Sequence, residues 1–487
     1  MDYLPKIEWE LLHEAILLKD FELKTDLGLN SIKSICLKRN ENYEILLEIL
    51  GTESLNNIQE FNEQIDIEIE TKEDYFCLKK CTNLTSNHSI GKENKYKYEF
   101  KVNLVEKFSK KFLKNKPSFI KEWYLNSVRN TLLFKRDTRF NYDNCIKIRD
   151  IPKNQKINLS PLNKKIRSID SLFIELETFS FLLENVPKAF KPFWSNKLSI
   201  EYQKDFKIPN IKTRRQIIEI LSFLFGKYLI KVGETCYDKN WNIIYQNSNS
   251  PKISSKINLK TNCSLRDEPA IYFNEDFPEL FNLEEILSEI ISSYLLEVEI
   301  NLSDMIEQLM LSTTLPTESE IIVIGACLDN LTKEWFDSNK TKNNGLLISK
   351  KEFNKLMKKE MENIKNNLKD YPDILTNIEN AYKLSGRKKV DSFLEELDLE
   401  IGKSEEKARE YRNIPAHGQK MSYKTHLKMI YLTLIYRTLL NRIILKILGY
   451  NEYYDLTTGK PLPITNKIPE KDFEEIINYI EEFSNDY

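Results

Sequence analysis

Glycine is scarce. Twelve glycines in 487 residues supply no GxGxxG or GxxxxGK[ST] stretch, which argues against the backbone cradles that hold dinucleotides and nucleoside triphosphates. A GxSxG elbow is also missing, and with it the serine nucleophile of the α/β-hydrolases. Histidine is scarcer still, at four, so proton transfer near neutral pH has few places to occur. The seven cysteines (36, 77, 81, 145, 236, 263 and 327) are odd in number and scattered. They read as reduced thiols of a cytoplasmic protein, not as a disulfide framework. Cys77-x3-Cys81 with His88 lacks a fourth ligand nearby, and ordinary strand or turn positions suit these residues better than a zinc site. No metal and no cofactor are expected.

A surplus of charge is lacking too. The 72 basic and 74 acidic residues leave a net charge of −2, which is no global nucleic-acid footprint but leaves room for a local basic site. Hydrophobic content of 41% with 30% charged residues describes a folded soluble chain. The start, MDYLPKIEWE, lacks a basic segment followed by an apolar run, so no signal peptide is expected. The most apolar stretch, 427–448, is interrupted by Arg437, Arg442 and Lys446. A membrane span needs about 20 mostly apolar residues, so this stretch reads as a buried helix, with no membrane partner.

The length calls for two or three domains. Residues 1–155 read as a β-rich domain, 156–300 as a mixed α/β domain and 301–487 as an all-α bundle, an α+β multidomain chain. In the first part, Ile65, Ile67 and Ile69 alternate with Asp66, Glu68 and Glu70, the period-2 pattern of half-buried strands. The stretch from Tyr98 to Glu106 repeats it, and a short helix is expected around Lys121–Leu132. Lys107, Lys110, Lys111, Lys114 and Lys116 interleave with Phe108, Phe112 and Phe119. Such a cluster can grip nucleic acid, but a surface segment that sends its phenylalanines into the core is the preferred reading.

In the middle part, apolar spacing predicts helices over Ser168–Glu184 and Arg214–Phe225, the second stopping at Gly226. A strand from Tyr228 to Tyr237, a turn at 238–242 and a return strand from Ile243 follow, and then a helix over Leu283–Leu296. Beyond 300 the pattern is helical: a helix from Thr317 or Ser319 to Trp335, then Lys350–Asp370, Ile374–Leu384, Val390–Ile401, a helix opening at Ser404, a long one over Ser422–Leu448 and a closing one over Glu470–Phe483. Long helices joined by short loops make a bundle.

Arg412-Asn413-Ile414-Pro415-Ala416-His417-Gly418 carries the chemistry. Arginine is permanently charged and grips phosphate with a planar fork, and histidine moves protons near pH 7. In an unbroken helix, residues five apart lie about 140° out of phase. Pro415 removes a helical hydrogen bond and pushes Ile414 out of helical dihedrals, so a break near Ile414 can turn Arg412 and His417 toward one cleft. A plainer alternative pairs Arg412 with Glu406 or Glu410 and leaves His417 to cap a helix.

The stretch resembles the Arg-x4–6-His signature of HEPN domains, helical ribonuclease and nucleotide-binding modules of bacterial defence systems. Asn413 matches the common form with asparagine after the arginine. The resemblance covers roughly the last third of the chain, and the order of a large β-rich region before it is similar to ApeA-type abortive-infection proteins. It implies metal-independent cleavage of RNA, tRNA among the possible targets, by Arg412 and His417. Asn413 would orient the motif. Asp329 stands where HEPN helices often carry an acid, although a solvated helix residue explains it equally well. The resemblance also implies a homodimer that pools two Arg/His pairs and a phage-derived trigger, while the domain order alone suggests that residues 1–300 sense an infection signal and restrain the nuclease. His426 is a second imidazole to weigh, better suited to the surface. HEPN toxins controlled by adenylylation carry tyrosine two residues after the histidine. Here that residue is Gln419, which puts such control in doubt. The alternative to a nuclease is a non-catalytic HEPN-like module that binds nucleotide or RNA and dimerises.

Overall fold

The computed structural model describes residues 9–27, 32–51, 64–87, 96–128, 136–141, 146–149, 156–158, 167–186, 192, 195–251, 268–272, 283–296, 300–338, 346–413 and 423–470. The architecture is α+β, with an antiparallel sheet system in the N-terminal half and helices in the C-terminal half. The chain divides into two compact units, residues 1–267 with 273–292, and residues 268–272 with 293–487.

Among the described residues the first unit contains seventeen strands, including the short β1 (Ile16–Leu18), β2 (Phe21–Leu23), β10 (Arg136–Asn141), β11 (Ile146–Arg149) and β12 (Lys156–Asn158). Strands β3 (Ile32–Arg39), β4 (Ile45–Gly51), β5 (Ile65–Thr71) and β6 (Asp74–Asn87) precede β7 (Tyr96–Val102), β8 (Leu104–Ser109) and β9 (Phe119–Leu125). β6 serves two pairings. Its first half lies between β5 and β8, and its second half pairs with β7. The switch falls at Lys80, whose φ of 53° is left-handed and whose amide donates to Asp66. The isoleucine alternation of β5 is realised, with Ile67 and Ile69 in the core.

Two stretches expected to be helical are strands. Residues 119–125 form β9, between β15 (Lys197–Gln203) and β16 (Ile230–Tyr237). Residues 167–186 form a hairpin of β13 (Arg167–Glu175) and β14 (Ser180–Val186), with Leu172 opposite Leu183 and Phe173 opposite Leu182. The reason is shared: strands covered on both faces lose their alternation, and their apolar runs then match a helical template as well as a strand. Elsewhere the middle segment follows its pattern. Helix α1 (Ile211–Phe225) is capped by Asn210 and ends at Gly226 in the left-handed region, φ 63°. β16 returns through a turn into β17 (Ile243–Asn249). Strands from both sides of residue 155 share one ladder, because β9 is flanked by β15 and β16.

A buried ion pair ties the ends of this unit together. The Arg39 fork meets the Glu10 carboxylate at 2.7 and 3.0 Å and also donates to the carbonyls of Tyr43, Val232 and Asn249. Ser248 and Tyr43 donate to the same carboxylate. In the Lys107–Lys116 cluster, Lys107 pairs with Asp74 and Lys110 with Glu70; Phe119 is buried, whereas Phe108, packed between Tyr75 and Tyr245, and Phe112 are half-buried.

Helix α2 (Leu283–Leu295) leads out of the first unit. The second contains α3 (Leu302–Ser312), α4 (Thr317–Asp337), α5 (Lys350–Asn367), α6 (Pro372–Glu379), α7 (Gly386–Glu396), α8 (Lys403–Tyr411) and α9 (Tyr423–Ile447). α4 starts at Thr317, with a proline, residue 316, at the N-cap position and no side-chain capping bond. α9 is the buried helix foreseen for the most apolar stretch, and it stops at Gly449, φ 79°. Its arginines are buried as well. Arg437 meets Glu268 at 2.7 Å and Glu320 at 2.6 Å, and Arg442 meets Glu405 at 3.0 Å and the Ile464 carbonyl at 2.6 Å. A small hairpin of β18 (Glu452–Asp455) and β19 (Lys460–Pro463) follows, its prolines tolerated because a two-stranded hairpin is all edge. The closing helix expected over 470–483 lies outside the described residues beyond 470. Among the described residues no helix is long and apolar enough to cross a membrane.

Candidate functional site

Helix α8 positions the arginine. Glu405 accepts a hydrogen bond from the Gly402 amide at the start of the helix, and Arg409 and Arg412 follow at i and i+3 spacing on one face. Arg412 is the C-terminal cap, where cationic charge complements the helix dipole.

Helix α4 receives it. Gly325 and Asp329 lie one turn apart on the same face. A Cβ built on Gly325 would sit 2.6 Å from Arg412 Cδ and 2.7 Å from one of its terminal nitrogens. The missing side chain is therefore the slot in which the arginine lies. One turn on, Asp329 takes the fork at 2.9 and 3.4 Å. From α9, Tyr436 supplies a third partner, its hydroxyl accepting from Arg412. Burial works against the charge on Arg412, but Tyr436 and Asp329 outweigh it and raise its pKa further. Burial pushes the Tyr436 phenol up to about 12, so it stays protonated at neutral pH and is not a base.

Arg412, Asp329 and Tyr436 border a cavity of about 430 Å³ walled mainly by α4, α7 and α8, within the range of small-ligand sites. Its lining carries five cations (Lys333, Arg387, Lys389, Arg409 and Arg412) against three carboxylates (Asp329, Glu406 and Glu410). A locally basic site thus exists in a chain of net charge −2. Arg409 pairs with Asp391 at 2.9 Å and Arg387 with Glu410 at 3.1 Å. Among the described residues no ion pair engages Lys333 or Lys389.

Of the residues singled out from the sequence, Arg412, Asn413 and Asp329 all line this cavity. His417, Pro415 and Gln419 lie outside the described residues. Arg412 pairs with Asp329 across the bundle, and Glu410 is engaged with Arg387. His426 is half-exposed on α9, 3.1 Å from Glu318, and does not line the cavity. Cys77 and Cys81 are buried in β6, and His88 is outside the described residues. The sequence reading missed Tyr436, which looks like any core aromatic of an apolar helix. It also missed Gly325, although its i, i+4 spacing to Asp329 was there to be read. No protein-family model, no curated protein and no solved structure matches this chain.

Proposed function

We propose that this chain is a HEPN-like, metal-independent endoribonuclease of a bacterial anti-phage abortive-infection system, acting as a homodimer. The observation that carries the reading is Arg412, seated in a basic cavity with its fork held by Asp329 and Tyr436. An arginine steadied in this way is pre-set to hold a phosphodiester and to offset the charge that gathers on its oxygens in the transition state. His417, five residues on, takes the proton of the ribose 2′-OH or returns one to the leaving oxygen. The 2′-oxygen bonds to phosphorus, the bond from phosphorus to the 5′-oxygen breaks, and that oxygen is protonated. The products are a 2′,3′-cyclic phosphate and a 5′-hydroxyl. One imidazole does not serve both ends of a concerted step, and a second copy of the chain would supply the other.

The test is expression in bacteria of the wild type beside His417→Ala and Arg412→Ala, with a phage challenge as trigger and total RNA resolved on a gel. The wild type should fragment RNA and leave cyclic-phosphate ends, while each variant should lose at least a hundredfold of that activity. Intact RNA in all three would favour the second reading, a binding module that does not cleave. One observation favours that module: Asp329 already matches the charge of Arg412, an arrangement sufficient for reversible phosphate binding.

A further inference from the structure

Helix α5 projects a face that the bundle does not use. Six of its eighteen residues are lysine (Lys350, Lys351, Lys355, Lys358, Lys359 and Lys365), against the acids Glu352, Glu360 and Glu362. At about 100° per residue, Lys351, Lys355, Lys358 and Lys365 fall within an arc of roughly 80°, with Lys359 beside them, over about 21 Å of axis. Glu362 is the one acid inside that arc. All five lysines are exposed. Lys365 is held at 3.0 Å by Glu379 of α6, while among the described residues no ion pair engages the other four. The apolar side of the helix is turned inward: Phe353 is buried against Tyr382, ring centroids 5.5 Å apart, and Met357, Met361 and Ile364 are half-buried.

We infer that this lysine stripe is a docking surface for the sugar–phosphate backbone of single-stranded RNA. A line of cations on a rigid rod, four of the five without an ion pair among the described residues, complements a linear polyanion, and binding of this kind needs no base-specific contact. A lipid surface fits less well, because amphipathic helices bind membranes by inserting an apolar face. Here Leu356 is the large apolar side chain that α5 leaves exposed. The choice of RNA rests on the ribonuclease reading, whereas the stripe itself does not involve Arg412 or the cavity. It would hold the strand by its backbone irrespective of sequence.

The experiment measures fluorescence anisotropy of a labelled, fully 2′-O-methylated single-stranded RNA, which has no 2′-OH with which to cleave itself. The full-length wild type is compared with Lys351→Gln/Lys355→Gln/Lys358→Gln/Lys359→Gln and with the matching four-arginine variant, across about 50–200 mM salt. Glutamine and arginine have helix propensities close to that of lysine, so the far-ultraviolet circular dichroism should not change. The glutamine variant should bind at least tenfold more weakly at low salt. Its slope of log K against log salt should be shallower by roughly 2–3, at ~0.7 for each phosphate no longer neutralised. The arginine variant should bind like wild type. Equal affinity and slope in all three proteins would overturn the assignment. So would a wild type that ignores RNA, or one captured by phosphatidylserine vesicles through the same four lysines. Since the probe cannot be cleaved, Arg412→Ala should keep stripe-dependent binding, and failure of the nuclease reading would show separately in the cleavage gel.

Discussion

At the scale of single residues, the site depends on an atom that is not there. Gly325 sits mid-helix, where glycine costs about 1 kcal/mol relative to alanine, and its vacancy is filled by the Arg412 side chain. Gly325→Ala should therefore keep or raise the melting temperature while expelling the arginine from its slot, with RNA cleavage down tenfold or more. A melting curve and a cleavage assay on the same preparation check both halves, and an undiminished rate would mean that the seat of Arg412 is not where the chemistry occurs. Arg412 and Asn413 were legible in the sequence because they precede a scarce histidine at a distinctive spacing, and Asp329 through the resemblance alone. Tyr436 was not, since nothing local separates an aromatic that packs from one whose hydroxyl reaches an arginine.

Among the elements, α9 shows how charge can be carried inside a bundle. Arg437 is 1% exposed, and burial opposes its charge, but Glu268 and Glu320 more than compensate. Arg437→Met would strand two buried carboxylates, and breaking such a cluster costs about 3–5 kcal/mol. The deficit, read by urea denaturation, should shrink as pH falls, because protonation neutralises the stranded groups. A deficit independent of pH would assign the loss to packing alone. The bundle was easy to read because its helices keep an apolar stripe of period 3.6. β9, β13 and β14 were not, because a strand packed on both faces has no polar side to mark its period. Lys121 and Glu122 look like helix-surface charges in the sequence, yet both are buried in β9 and ion-paired, to Glu184 and Arg214 respectively.

At the scale of the whole molecule, the β-rich unit rests on contacts between residues distant in the chain. Burial works against the Glu10 carboxylate, yet Arg39, Ser248 and the Leu12 amide hold its pKa below the usual carboxylate value. A lowered carboxylate pKa contributes stability that is present above the unfolded-state value and is lost as pH falls through the folded one. The melting temperature of the β-rich unit should accordingly drop below about pH 4.5. Glu10→Gln should be less stable at pH 7 and show a shallower acid limb, whereas an unchanged limb would exclude Glu10 as a contributor. The same contacts set a timetable. Arg39 bonds the carbonyl of Asn249, 210 positions later, and β9 has both of its neighbours downstream. At a synthesis rate of ~5–20 residues per second, roughly 10–40 s separate the two partners on the ribosome. β9 waits a shorter time, roughly 4–17 s for β15 and roughly 5–24 s for β16 at the same rate. Until then its edges are open to any other strand, so the hazard this chain must survive comes before its fold is complete.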